Sequence, residues 1–195
     1  MSLSNLEIQK AIDEGRLILA PEPLPRRPSG HMKCPYDTHS VDLTLAPKFI
    51  IPKAGPYCYD PGQPGELADF IADNSTQILI PEGGSYLLEP NCFILAMTRE
   101  TVGLPIDPAR DTCLAARIEG KSSRARCAIL VHFTAPTIHP GFHGPITLEM
   151  INLGRVPFLL RPGMAIAQLI VEEVKGIPFD NPSQFQGQTN PAGTK

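Results

Sequence analysis

The residues whose types and spacing could do chemistry lie between Arg117 and Ile151. A polar turn, Gly120-Lys121-Ser122-Ser123-Arg124-Ala125-Arg126, leads into an apolar run from Cys127 to Phe133. A Pro/Gly-rich bend from Pro136 to Pro145 follows, then the stretch Ile146-Thr147-Leu148-Glu149-Met150-Ile151 with its single carboxylate. Successive N–H groups in a tight turn, with Lys or Arg beside them, can hold a phosphate chain, and serine hydroxyls there can bridge phosphate or polarise a carbonyl or amine. The plain alternative is a solvated turn. On a strand, Thr147, Glu149 and Ile151 share one face, and Ile146, Leu148 and Met150 the other. Both faces are largely apolar, so Glu149 is expected to be partly buried. A buried carboxylate needs a partner or a job. It is either salt-bridged to Arg126 or, with desolvation raising its pKa, placed as a general base.

Other chemistries fit less well. The histidines are His31, His39, His132, His139 and His143. His139 and His143 straddle Pro140-Gly141 and share no helix face. No H-x-E and no P-C-x-x-C is present, which removes the zinc nucleobase deaminases and weakens any zinc-hydrolase reading, so no metal site is expected. Ser122 and Ser123 lack a nucleophile elbow. His132, on an apolar run, reads as a core or interface histidine. Gly120-Lys121-Ser122 resembles the end of a Walker motif, but Ala115 stands where that motif needs glycine. A net charge of −3 and a pI of about 5.9 argue against a broad nucleic-acid surface. The local cations suit a small anionic ligand better. No apolar run approaches the roughly 20 residues of a membrane span. No signal peptide is evident at the N-terminus. Five cysteines without a C-x-x-C pair read as reduced thiols in a cytoplasmic protein.

The elements that must position these groups are short. The 22 prolines and 16 glycines punctuate apolar runs rather than forming a low-complexity tract. Ser4, with Glu7 three residues later, predicts a capped N-terminal helix that Gly15 stops. Strands are expected at 16–20, 40–45, 77–80, 86–88, 92–98, 146–151, 158–160 and 165–171, about a dozen in all, with a turn beginning near Leu45 before Phe49-Ile50-Ile51 and 114–118 leading into the polar turn. A connector is expected over 100–109 and a short helix or insert over 66–73. Arg161-Pro162-Gly163-Met164 carries type II turn chemistry. The sum is one all-β domain spanning 1–195 with one or two small helices. Its tail, from about residue 176, is expected to be mobile unless a ligand or neighbouring subunit orders it.

The same residues resemble the dCTP deaminases of the dUTPase-like superfamily. The resemblance rests on Ser40-Val41-Asp42-Leu43-Thr44-Leu45, the Gly120–Arg126 turn, His132-Phe133-Thr134-Ala135, Pro140-Gly141-Phe142 through Glu149, Arg161-Pro162-Gly163-Met164 with Gln168, and Gln186-Gly187-Gln188. It implies a distorted antiparallel β-barrel, jelly-roll-like, assembled as a homotrimer with active sites between subunits and a tail that closes over nucleotide. The implied reaction turns dCTP and water into dUTP and ammonia without zinc, Mg²⁺ riding on the triphosphate. Glu149 would be the general base, with Ser122 and Arg126 positioning the water. Lys121, Ser122 and Ser123 would contact phosphates within the turn that also holds Arg124 and Ala125. Ala135 would orient the water or the base, Thr147 and Leu148 would offer backbone groups to cytosine, and Gln168 and Gln188 would contact nucleotide. dTTP is a candidate inhibitor. His139 stands where the family usually has Asp, which contacts the sugar and serves dUTPases as base. Phe179, Gln184 and Phe185 stand where Tyr, Lys and Tyr are common. A dUTPase or bifunctional enzyme, and a non-catalytic nucleotide-binding regulator, stay open as alternatives.

Overall fold

The computed structural model describes residues 1–62, 67–179, 181 and 185–193. Helix α1 (Asn5–Asp13) starts where the Ser4 side chain accepts the Glu7 N–H at 3.4 Å, and it buries Ile8 and Ala11. The chain turns away at Gly15, whose φ of +68° suits glycine. Strands β1 (Ile18–Ala20), β2 (Tyr36–Asp37), β3 (Ser40–Thr44) and β4 (Lys48–Pro52) follow. Helix α2 (Leu67–Asp73) precedes β5 (Ser75–Leu79), β6 (Tyr86–Leu88), β7 (Phe93–Gly103) and β8 (Thr112–Gly120). A single helical turn, α3 (Ser122–Ala125), leads to β9 (Ile129–Leu130), β10 (Thr137–Ile138), β11 (His143–Asn152), β12 (Phe158–Leu160) and β13 (Ala165–Lys175).

Antiparallel pairing arranges these strands in two main sheets. One runs β5-β4-β7-β11-β9, with β1 added on β7; the other runs β10-β8-β13-β3-β2. A small β12-β6 pair stands apart. Ile94, Ala96, Leu148 and Met150 from the first sheet meet Val41, Leu43, Ile118 and Leu169 from the second in one buried core. The chain is therefore mostly β with few short helices, as expected. The expected distorted barrel is not closed: the sheets keep separate hydrogen-bond networks, with an isolated bridge between Leu45 and Thr98.

One local expectation is corrected, and two segments take more definite form. Strand β7 runs on to Gly103, through residues read as a connector. Its register against β11 slips between the pairs Thr147–Met97 and Pro145–Thr101, so β7 bulges there. The bulge is tied down from within. Glu100 is buried and accepts the Thr44 N–H at 2.8 Å and the Thr44 hydroxyl at 2.6 Å, while Thr98 Oγ1 donates to Glu100 O at 2.8 Å and accepts the Ile146 N–H at 2.9 Å. The polar turn winds into α3, with the N–H groups of Arg124 and Ala125 both donating to Lys121 O. The apolar run after it gives only a two-residue strand, because Ala128 takes a left-handed φ of 60° and turns the chain. The type II turn forms as its residues demand: Gly163 has φ +81° and Met164 N–H donates to Arg161 O at 3.1 Å.

Candidate active site

Strand β11 alternates as its sequence requires, with Ile146, Leu148 and Met150 buried and Thr147, Glu149 and Ile151 half-buried on the other face. That face looks into a cavity of about 630 Å³. Ile146, Thr147 and Glu149 of β11 line it; His132, Ala135 and His139 come from the segments flanking β10; Leu67 and Ile71 come from α2; and Phe185, Gln186, Gln188 and Ala192 come from the tail. The Glu149 carboxylate accepts the Phe133 N–H at 3.2 Å. Among the described residues Glu149 forms no ion pair, so the salt bridge to Arg126 weighed from sequence is not present. One carboxylate oriented by a main-chain N–H, without a cation to neutralise it, can take a proton from a water in the cavity.

The backbone of β11 is part of the site. Ile146 N–H is directed to Thr98 on β7, and main-chain groups alternate sides along a strand. Those of Thr147 and Glu149 therefore face the opposite edge, which β9 covers only at Ile151 and Asn152. The near end of that edge is taken by the tail: Gly187 N–H donates to His143 O at 3.0 Å, Gln188 Nε2 donates to Pro145 O at 2.8 Å, and His143 N–H donates to Gln186 Oε1 at 3.3 Å. Between tail and β9, an open edge of hydrogen-bonding groups borders the cavity at Thr147. A flat heterocycle with donors and acceptors on one side could add to it as a strand would.

The other expected site residues fall elsewhere. Ser122, Ser123, Ala125 and Arg126 are exposed on and beside α3, and none lines the cavity. Lys121 Nζ donates to the buried carboxylate of Asp42, which also has Lys33 at 3.6 Å. Gln168 accepts from Ser40 Oγ at 3.1 Å and donates to Gly120 O at 3.2 Å. Arg124 donates to Ala165 O at 3.4 Å and lies 5.9 Å over the Phe158 ring. Leu148 is wholly buried and pairs through its main chain with Ala96. Phe179 is 87% exposed, away from the cavity lining. Gln184 lies outside the described residues. The structure thus brings together Glu149, Thr147, Ala135, His139 and Gln188. It sets the cationic turn and Gln168 apart from them within one chain.

Some lining residues were not expected. His132 read as a core or interface histidine, yet it borders the cavity, its Nε2 is 3.6 Å from Glu119 Oε2, and its buried Nδ1 has no hydrogen-bond partner. The signal for it was its place two residues before Thr134-Ala135 in a motif already singled out. Leu67 and Ile71 belong to the weakly patterned insert, and nothing local ties them to β11.

Two antiparallel sheets around one core, with a half-buried carboxylate on β11 facing a cavity, are the frame on which the comparison with known proteins rests. Residues 2–174 match the model of the dCTP deaminase-like family. The chain belongs to that family. It is 37% identical over 202 residues to the dCTP deaminase of Haloarcula marismortui, covering 100% of this chain and 94% of the relative. It is 36% identical over 204 residues to the "dCTP deaminase, dUMP-forming" of Dictyoglomus thermophilum, covering 100% and 94%. In structure it is similar to the 2'-deoxycytidine 5'-triphosphate deaminase of Agrobacterium tumefaciens, with a TM-score of 0.61 at 19% identity. That match covers 89% of this chain, which spans about half (47%) of the other's length, and it bears on the fold alone.

Proposed function

We infer that this chain hydrolyses dCTP at C4 of the cytosine, releasing ammonia and leaving dUTP, with Glu149 as the general base and no zinc. The observation that carries the reading is the Glu149 carboxylate, held by the Phe133 N–H on the wall of a cavity beside the open main-chain edge at Thr147. Glu149 takes a proton from water as the water oxygen bonds to C4 and the C4–N3 double-bond pair moves to N3, and it passes that proton to N3. It then carries the proton of the new C4 hydroxyl to the amino group, the C4–N bond breaks, and ammonia leaves as the C4 carbonyl forms. Ser122 and Arg126 position the water and stabilise charge in the transition state, and Ala135 orients the water through its carbonyl. Lys121, Ser122 and Ser123 hold phosphates. The separation of these residues from the cavity fits a homotrimer in which the turn of one subunit completes the site of its neighbour. Mg²⁺ would arrive on the triphosphate, neutralising part of its charge; the phosphate-binding groups of this chain are hydroxyls and cations, which suit the nucleotide and not a bare metal. dTTP would compete for the same pocket.

A second reading, deamination followed by hydrolysis to dUMP and pyrophosphate, is favoured by relatives named as dUMP-forming. It needs a second base, and the cavity has His139 where the resemblance expects Asp. Incubation with dCTP and Mg²⁺, with ammonia, pyrophosphate, dUTP and dUMP assayed together, tests both. Ammonia with dUTP is the expected result. Pyrophosphate with dUMP would overturn the monofunctional reading, and no product would overturn both.

A further inference from the structure

Four buried side-chain nitrogen or oxygen atoms among the described residues have no hydrogen-bond partner: Arg117 Nε, Arg124 Nε, His132 Nδ1 and Thr147 Oγ1. Each arginine is engaged through another nitrogen, Arg117 with Glu172 and Arg124 with Ala165 O. The other two atoms belong to residues lining the cavity that holds Glu149. Thr147 shares a strand face with Glu149, two residues away. His132 directly precedes Phe133, whose N–H holds the Glu149 carboxylate. A buried polar atom left unpaired is unfavourable, and in a native protein it calls for an explanation such as a ligand that pairs with it.

We propose that His132 Nδ1 and Thr147 Oγ1 are the side-chain atoms that read the Watson–Crick edge of the pyrimidine, and that His132 sets the preference for cytosine over uracil. The proposal deepens the reading above and rests on it. In the neutral ring, Glu119 Oε2, 3.6 Å from His132 Nε2, favours the tautomer that carries the proton on Nε2. Nδ1 is then an acceptor only. Cytosine presents an amino donor at C4, which Nδ1 can accept; uracil presents a carbonyl acceptor there, which leaves two lone pairs facing each other. The Thr147 hydroxyl can donate to N3 of cytosine or accept from N3–H of uracil, so it binds both bases and discriminates between neither. Substrate is thereby held and product is released from one pocket.

The test uses Glu149→Gln protein, expected to bind nucleotide without turnover, in calorimetric titrations with dCTP and with dUTP. It should prefer dCTP. Adding His132→Phe should weaken dCTP binding roughly 2- to 10-fold and leave dUTP unchanged or tighter, the range one neutral hydrogen bond supplies. His132→Asn, which keeps an acceptor near Nδ1, should retain the preference. Thr147→Val should weaken both nucleotides by a similar roughly 2- to 10-fold while raising the melting temperature of the ligand-free protein, because it removes an unpaired hydroxyl. Unchanged affinities in both variants would overturn the proposal. Equal loss of preference in His132→Phe and His132→Asn would overturn it as well, showing His132 to be structural. If the Glu149→Gln protein binds neither nucleotide and the unaltered chain releases no ammonia, the deaminase reading fails and the proposal with it.

Discussion

Glu149 and Lys121 were both singled out from residue type and spacing, and their surroundings separate them. Glu149 is half-buried, takes one main-chain N–H, and faces a cavity. On the proposed reading, replacing it by Gln keeps the shape and loses the group that receives the proton. Ammonia release from dCTP is expected to fall by at least roughly 10²-fold, with nucleotide binding retained in calorimetry. Turnover within a few-fold of the unaltered protein would show that another group is the base. Lys121 is instead held by Asp42, 79 residues away in sequence, with both side chains largely buried at 11% and 7% exposure. Asp42→Ala strands the ammonium in a buried place, so stability should fall by about 3 kcal/mol in chemical denaturation, whereas Lys33→Ala, at an exposed cation, should change it little. Lys121 was legible as a cation but not as a paired one, since nothing in a seven-residue motif reveals a carboxylate on another strand.

At the scale of elements, patterns that complete themselves locally were legible and those set by tertiary partners were not. The alternation of β11, the Ser4 cap and the Gly163 turn each follow from a few adjacent residues, and each forms. The continuation of β7 through Glu100 goes with the Thr44 N–H and hydroxyl donating to the Glu100 carboxylate, so a stretch that looks like a connector is strand. The tail is a second such case. It reads as too polar to pack by itself, yet Gln188 and Ala192 are buried, Ala192 sitting with Ile50, Leu95, Ile71 and Phe93. That seat depends on Gly193, whose φ is +92° and whose added Cβ would stand 2.6 Å and 2.8 Å from Phe185 ring carbons. Gly193→Ala is therefore expected to unseat residues 185–193 without disturbing either sheet. Faster hydrogen exchange or proteolysis confined to that segment, with a raised KM for dCTP, would show it; unchanged protection there would mean that the tail does not depend on this close approach.

Across the whole molecule, the N-terminus and the long loop between β1 and β2 are fastened to the sheets by polar links, and those links set how the fold responds to pH. Leu3 N–H donates to Val171 O at 2.8 Å and Ser2 Oγ to Glu172 at 3.1 Å, adding the N-terminus to β13. The loop between β1 and β2 is held by Arg26, which is bonded to Glu22 at 2.6 Å and to Asp13 of α1 at 2.8 Å, while the Tyr36 hydroxyl on β2 donates to Glu22 at 3.0 Å. The Arg26 guanidinium, with a smaller contribution from Tyr36, holds the Glu22 carboxyl below the ordinary glutamate range. Unfolded Glu22 takes up its proton near the ordinary value of 4.5, the folded group only at lower pH. Below that value the unfolded chain binds more protons, so stability conferred by Glu22 is present above pH 4.5 and is lost as pH falls through the folded pKa. Tyr36 has the opposite sign: burial first, then Glu22, raise its phenol well above 10, so the stability it confers is present below pH 10 and is lost only in stronger alkali. Glu22→Gln should therefore lower the melting temperature at neutral pH and flatten its decline between about pH 5 and 3, leaving the slope near pH 7 unchanged. Melting curves of the two proteins across that range decide it: parallel acid limbs would show that Arg26 and Tyr36 are held mainly by Asp13 and packing, not by Glu22.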